Sequence, residues 1–395
     1  MKWKKKKLCE CTEYITDGDH QPAPKADKGV HFIKIKDIVN NQVSFDAQVY
    51  VPQEYYDNLP MERKPQKEDV LYTVVGSFGI PSYVQTDELF CFERNIALLH
   101  PNKDIEPRFL YYSLKNPAFY KGVEIVANGS AQKLIPLSKL KDLKISVPDK
   151  EAQHRIADIL SVYDNLIENN QRQIKLLEEA AQRLYKEWFV DLRFPGYENT
   201  KIVDGVPEGW SKSTVGNICK LRKVVITPDK IESNTPYIGL EHMPRNDICL
   251  STWGKSEEIN SNKFIYLKKD VLFGKIRPYF HKVGFALNDG ITSTDTMVMV
   301  ADQNLWGLLL ATVSSDAFVD FSYQNCKEGA KMPRADWKQM EKYAIMIADQ
   351  ATQKLFEQEI LVITNKISAL AFQCRSLREA RDRMLPKLMG GEVEV

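Results

Sequence analysis

The residues best suited to chemistry in this 395-residue chain are polar, basic and aromatic side chains gathered in short loops between apolar runs. In the first half they are Asp17-Gly-Asp19-His20, Arg94-Asn95 and Asn128-Gly-Ser130-Ala-Gln132-Lys133. In the second half they are Lys275-Ile-Arg277-Pro-Tyr279 with Lys282, Thr292-Ser293-Thr294, and Lys327-Glu-Gly-Ala-Lys331 with Arg334. Arg, Lys, Asn and Gln hydrogen-bond to base edges, and hydroxyls and glycine amides suit phosphates. An ordinary solvated turn explains any one of these residues. Their recurrence at matching places in both halves is what favours a nucleic-acid surface.

Catalytic constellations are missing. Asn116-Pro-Ala-Phe119 resembles an amino-methyltransferase motif, but Ala118 replaces the second proline and no glycine-rich cofactor loop accompanies it. Gly254-Lys-Ser256 resembles the end of a P-loop, yet Cys249 stands where the first glycine is required. Gly76-Ser-Phe-Gly79 reads as a turn. The six His residues show no metal-ligand spacing, and seven irregularly spaced cysteines suggest reduced structural thiols. We therefore expect no catalytic residue, metal or cofactor in this chain. No apolar run is long enough for a membrane span, and the basic start Lys2 to Lys7 leads into Cys9 and Glu10, not a signal-peptide core, so a cytoplasmic location is expected. A net charge of +1 is low for a chain that would neutralise phosphates unaided.

The loops must be positioned by a duplicated frame. A seam of residues spaced alternately four and three apart runs Ile156, Leu160, Tyr163, Ile167, Asn170, Ile174, Leu177, Ala181, Leu184, Trp188. It recurs 200 positions later as Phe356, Ile360, Ile363, Ile367, Leu370, Cys374, Leu377, Arg381, Met384, Leu388. That spacing is a coiled-coil stripe, and two stripes in one chain are expected to bury each other. Laying 145–190 on 345–390 gives eleven identities, where composition alone gives roughly three, so the segments are copies. Each helix is expected to run for about 38 residues, roughly 55 Å at 1.5 Å per residue. Asp149 and Asp349 are the expected N-caps. Residues 151–190 carry five Lys or Arg against seven Asp or Glu, and 351–390 seven against four, which favours pairing with each other. Asn170 is a candidate register-setting residue, Arg381 is expected to pack its stem and send its head to solvent, and Pro386 to kink or end the second helix, leaving Leu388 doubtful.

Before each helix lies an expected α+β globule. Its apparent strands are His31 to Ile35, Val70 to Val75, Phe264 to Leu267 and Thr296 to Val300, and its helices Glu106 to Lys121, interrupted at Pro117, and Asn304 to Phe321. Lys67-Glu-Asp-Val-Leu-Tyr72 answers Lys268-Lys-Asp-Val-Leu-Phe273. The expected plan is globule 1–148, helix 149–190, connector and globule 191–348, helix 349–395. Connector length favours antiparallel helices with the globules at opposite ends and a pseudo-twofold repeat.

Ile135-Pro136 through Ile145-Ser-Val-Pro148-Asp-Lys-Glu-Ala-Gln153, Asp191-Leu-Arg-Phe-Pro-Gly196, Asp270-Val-Leu-Phe273 with Pro278-Tyr279, Trp210 and Leu385-Pro-Lys-Leu388 together resemble a specificity subunit of a type I DNA restriction-modification system. The resemblance covers essentially the whole chain. It implies that each globule is a target recognition domain for one half of a bipartite, asymmetric sequence in double-stranded DNA. It implies further that the helices are an antiparallel spacer docking two methyltransferase subunits, joined in a full complex by restriction/translocase subunits. S-adenosylmethionine, ATP and Mg would then belong to those partners. The alternative from another class is a stand-alone DNA-binding regulator or coiled-coil scaffold without methyltransferase partners.

Overall fold

The computed structural model describes residues 3–39, 41–127, 134–257, 259–302, 304–326 and 332–395. It divides into two compact units: Met1–Leu166 with Leu377–Val395 (unit 1), and Ile167–Ser376 (unit 2). Each unit holds one globule and the parts of both long helices packed on it.

In unit 1 the alternation of buried side chains builds a sheet that is covered on both faces. Strands Thr12–Asp17, Ile96–Pro101, Val70–Thr73 and Pro81–Tyr83 lie in that order, all antiparallel. Val70, Tyr72, Ala97 and Leu99 enter one core with Phe109, Leu110, Ile156 and Leu160. Leu71, Ile96 and Leu98 point the other way, into a second core with Phe90 and Phe92. That is the period-two geometry of a strand applied to near-continuous apolar runs. A smaller sheet, Tyr50–Val51, Val30–Ile33 and Phe90–Phe92, covers the second face. Lys4–Lys7 pairs antiparallel with Lys144–Val147, so the two ends of the globule are stapled together.

Unit 2 repeats the plan. Cys219–Leu221, Thr296–Ala301, Val271–Gly274, Val283–Ala286 and Cys249–Leu250 form its main sheet, and Val225–Ile226, Lys263–Tyr266, Gly290–Thr292 and Tyr237–Ile238 its smaller one. Val271, Phe273, Met297 and Met299 face the helical core. Leu272 and Val298 face the other. Ser211–Thr214 pairs with Ala344–Ile347 as the closing staple.

The short helices differ from expectation in one respect. The first region is divided at Asn116 into Pro107–Lys115 and Pro117–Val126, with the Asn116 side chain capping the second piece through the Ala118 amide at 3.0 Å. The second region is divided as well, into Trp306–Val313 and Asp316–Gln324, with Ser315 capping the Phe318 amide at 3.3 Å. A serine cap inside an apolar run leaves a weaker sequence mark than a proline does.

The long helices are Lys150–Tyr185, continued by a π-helical turn Lys186–Val190, and Gln350–Gly390. Asp149 accepts the Ala152 amide at 2.9 Å, and Asp349 those of Ala351 and Thr352 at 3.0 and 3.1 Å, as N-caps do. The π turn places the adjacent rings of Trp188 and Phe189 against Phe356, with centroids 5.7 and 4.8 Å away. In unit 2 the helices run antiparallel: the Asn170 amide meets Gln373 at 3.4 Å and the Cys374 thiol donates to the Ile167 carbonyl at 3.7 Å, while Phe189 meets Phe356. In unit 1 Asp164 bonds Arg381, and the start of the first helix shares a core with Leu385, Leu388 and Met389 at the end of the second.

Seam residues Ile156, Leu160, Ile167, Phe356, Ile360, Ile367, Leu370 and Cys374 are buried, whereas Tyr163, Ile174, Leu177, Leu184, Ile363, Leu377 and Met384 are half-buried. Two seam expectations are corrected. The second helix continues through Pro386 to Gly390, and Leu388 is fully buried. Packing of Leu385, Leu388 and Met389 into the unit 1 core outweighs the lost backbone bond near the helix end. Arg381 does not send its head to solvent: its side chain is 13% exposed and its guanidinium is held by Asp164 and Asp382.

Within unit 2 one carboxylate clamps the helix to the sheet. Buried Glu178 accepts the Ile248 and Cys249 amides at 2.9 and 3.1 Å. Burial, with the charge of Asp247 second, pushes its carboxyl up to about 8 against the pull of those two amides. The folded value thus lies above the unfolded one, so the folded state holds a proton that the unfolded chain releases. Stability from this site is fully present below the ordinary glutamate range and is lost as pH rises through about 8. Glu178→Gln keeps both acceptor bonds and removes the titration. Its melting temperature relative to the natural protein is expected to climb between pH 5 and pH 9; a constant difference would show that Glu178 ionises freely.

Candidate nucleic-acid interface

Three loops meet at one end of the main sheet in each unit, held by matching backbone bonds. In unit 1 the Val74 amide donates to the Asn95 carbonyl and the Ile135 amide to the Val74 carbonyl, both at 2.9 Å. In unit 2 Lys275 donates to Asp295 at 2.8 Å and Ala335 to Lys275 at 2.9 Å. Bridges Val75 with Leu134 and Ile276 with Arg334 complete the correspondence. A sheet end fixed by three loops is a rigid platform whose side chains can vary without disturbing the fold.

In unit 1 the platform carries Arg94 and Asn95, Leu134 and the loop following Thr73. The Asp17–His20 segment joins it because a Cβ on Gly18 would lie 2.2 Å from the Phe92 carbonyl oxygen and 2.7 Å from the Arg94 nitrogen, so glycine permits the close approach. Arg94 is exposed. His20 is exposed and sits 3.3 Å from Asp17. Asp19 spends its carboxylate inside the fold, accepting from the Tyr55 hydroxyl and from Arg63, both at 3.0 Å. Burial pushes it up, but the Gln21 amide, Tyr55 and Arg63 outweigh this and hold it below the usual carboxylate value. Ser130, Gln132 and Lys133 lie outside the described residues.

Unit 2 presents different chemistry on the same frame. Lys275 donates to the Thr294 carbonyl at 2.7 Å and lies over the Phe264 ring at 5.5 Å; burial lowers its pKa. Lys282 donates to the Leu240 carbonyl, and burial, with the nearby Arg245 charge, lowers it too. Arg277 adopts a left-handed backbone at φ 51° and, with Arg245, packs on Phe280, the two guanidinium carbons 5.7 and 4.0 Å from the ring centre. Tyr279 is exposed and packs edge-on against Tyr323. The Ser293 hydroxyl accepts the Asp295 amide at 3.1 Å, Thr294 is exposed, and Arg334 reaches Asp295 at 2.6 Å. Lys327 and Lys331 lie outside the described residues.

Two features escaped the sequence reading. Gly76-Ser-Phe-Gly79 is more than a turn, because it is the unit 1 counterpart of Lys275 to Lys282. Both glycines have positive φ, and the Phe78 ring stacks on Tyr120 at 5.8 Å. The alignment of Asp69-Val-Leu-Tyr72 with Asp270-Val-Leu-Phe273 carried that signal. Arg245, Phe264 and Phe280 join the unit 2 cluster through tertiary contact, and Arg245 and Phe264 come from strands and turns with no local motif. Among the described residues no group of His, Cys, Asp and Glu is placed to hold a metal ion, all the cysteines are free thiols, and no helix is long and apolar enough to cross a membrane.

Comparison with known proteins places similar chains in one class. The type I restriction modification DNA specificity domain matches residues 1–179. The specificity subunit of type I restriction enzyme MjaIX from Methanocaldococcus jannaschii is 25% identical over 334 residues, 76% of this chain and 72% of that one. The specificity subunit of type I restriction enzyme HindI from Haemophilus influenzae is 29% identical over 170 residues, 41% of this chain and 36% of that one. Among solved structures, the S subunit of a type I restriction-modification system from M. genitalium shares the fold, with a TM-score of 0.59 at 17% identity over 98% of this chain and 96% of that one.

Proposed function

We propose that this chain, similar to type I restriction-modification specificity subunits, reads a split, asymmetric DNA sequence, one half with the loop platform of each unit. The observation that carries this reading is the pair of platforms held by the same backbone bonds yet faced with different side chains. A shared frame suits the same task, and Arg94, Asn95 and Leu134 in one unit against Arg277, Thr294 and Arg334 in the other suit different bases.

The paired helices carry exposed apolar side chains, Val162 at 56% and Leu166 at 45% in unit 1, and Leu176 at 60% and Val362 at 66% in unit 2. These suit docking of two methyltransferase subunits, joined in a full complex by restriction/translocase subunits. In this reading the chain is non-catalytic and cytoplasmic, and S-adenosylmethionine, ATP and Mg act in the partners. The net charge of +1 fits partners that share the neutralisation of phosphates. Long-read methylation mapping of cells carrying this chain with its methyltransferase partner is expected to give one split motif with unlike halves. A continuous palindrome, or no split motif, would overturn the proposal.

A further inference from the structure

Within the unit 2 platform the cations are not equivalent. The ammonium groups of Lys275 and Lys282 are engaged with main-chain carbonyls, and Arg277 and Arg245 lie on the Phe280 ring. Arg334 differs. Its backbone is pinned from both sides, since Pro333 accepts the Arg277 amide at 2.8 Å and the Ala335 amide donates to Lys275 at 2.9 Å. Its side chain is 59% exposed, yet one guanidinium nitrogen is tied to Asp295 at 2.6 Å. Asp295 is itself fixed by the Ser293 hydroxyl on its amide and by Lys275 on its carbonyl. The result is an exposed planar fork whose direction is set before any ligand arrives, which reduces the ordering cost of binding.

A fork of two N–H donors matches two adjacent acceptors. On the major-groove edge only guanine offers that pair, O6 and N7, whereas adenine sets a donor beside N7. A phosphate would match the fork too, but the Asp295 carboxylate beside it repels an anion and leaves a neutral base edge favoured. The equivalent positions of unit 1 are Leu134 and Asn95, so among the described residues this Asp-held fork has no counterpart at the matching positions of unit 1.

We infer that Arg334 is the residue with which unit 2 reads a guanine through O6 and N7, and that Asp295 is its positioning residue. This rests on the proposed DNA-reading function and goes beyond it by naming a base and the atoms that recognise it.

The test uses the chain with its methyltransferase partner and duplexes bearing the mapped motif, in which each guanine of the half read by unit 2 is replaced singly by 7-deazaguanine. For the natural protein one replacement is expected to weaken binding about 10- to 100-fold. Arg334→Ala is expected to lose a similar factor on the unmodified duplex, to be indifferent to that replacement, and to keep its salt dependence. Asp295→Asn is expected to weaken binding several-fold at the same position only. The inference is overturned if the half contains no guanine, or if Arg334→Ala binds as the natural protein does. It is also overturned if that variant loses affinity uniformly across sequences with a shallower salt slope, the mark of a phosphate contact. Failure of the natural complex to select any split duplex sinks the proposed function itself, a result distinct from selective binding that ignores Arg334.

Discussion

Asp164→Ala is expected to destabilise unit 1 by about 3–5 kcal/mol, the cost of leaving buried cations without their counter-charge. Asp164 accepts the Tyr112 hydroxyl at 2.8 Å, faces Lys115 at 3.6 Å and bonds Arg381. The Lys115 and Arg381 side chains are only 12% and 13% exposed, so solvent cannot replace the lost carboxylate. Burial already holds the Lys115 ammonium down at about 8, with Asp164 opposing the fall and Arg381 adding to it. A lysine whose folded value lies below its unfolded one costs most stability below the folded value and less as pH rises toward the ordinary lysine range. Removing Asp164 drives the folded Lys115 value further below about 8, so the Lys115 share of the loss should be largest at low pH and shrink as pH rises to about 8, and adding Lys115→Met should recover part of it. Peptide-resolved amide exchange checks this. Protection in residues 1–166 should fall by roughly 100-fold or more, while the globule of unit 2 keeps its own. A drop under tenfold would show that water already serves this network.

The same network shows where sequence reading stops. A polar residue at seam position 381 was visible, and so was its likeness to no apolar partner. What the sequence could not convey is that Tyr112 and Lys115, on a short helix some 50 residues before Asp164, would surround the same carboxylate. Seam positions such as Ile156, Leu160, Ile360 and Ile367 were legible because a single period, repeated over ten positions, leaves few other structures for the chain to adopt. The four strands singled out were legible to within a residue or two, as Val70 to Thr73 and Thr296 to Ala301 show, being buried on both faces and bounded by turns. Strands such as Thr12–Asp17 and Val283–Ala286 carried no such clear mark.

The candidate interface was legible only in part. Arg94, Lys275, Thr294 and Arg334 stand out as polar residues in loops, but nothing local marks which cation is already committed to a carbonyl. Lys282 and Arg334 read alike in sequence. One is anchored on Leu240, the other is held outward by Asp295, and only packing separates them. Pro386 taught the converse: a local rule about proline was overridden by three apolar side chains seated in a core.

In the proposed function one chain carries two independent reading heads, one in each unit. Strand Lys4–Lys7 pairs with Lys144–Val147, so residues 1–148 begin and end on the same staple and can be exchanged as one body. The most direct measurement replaces residues 1–148 by the corresponding segment of another specificity subunit and maps adenine or cytosine methylation across the genome. One half of the split motif is expected to change completely, with the other half retained base for base. A motif altered in both halves, or altered in neither, would contradict the account.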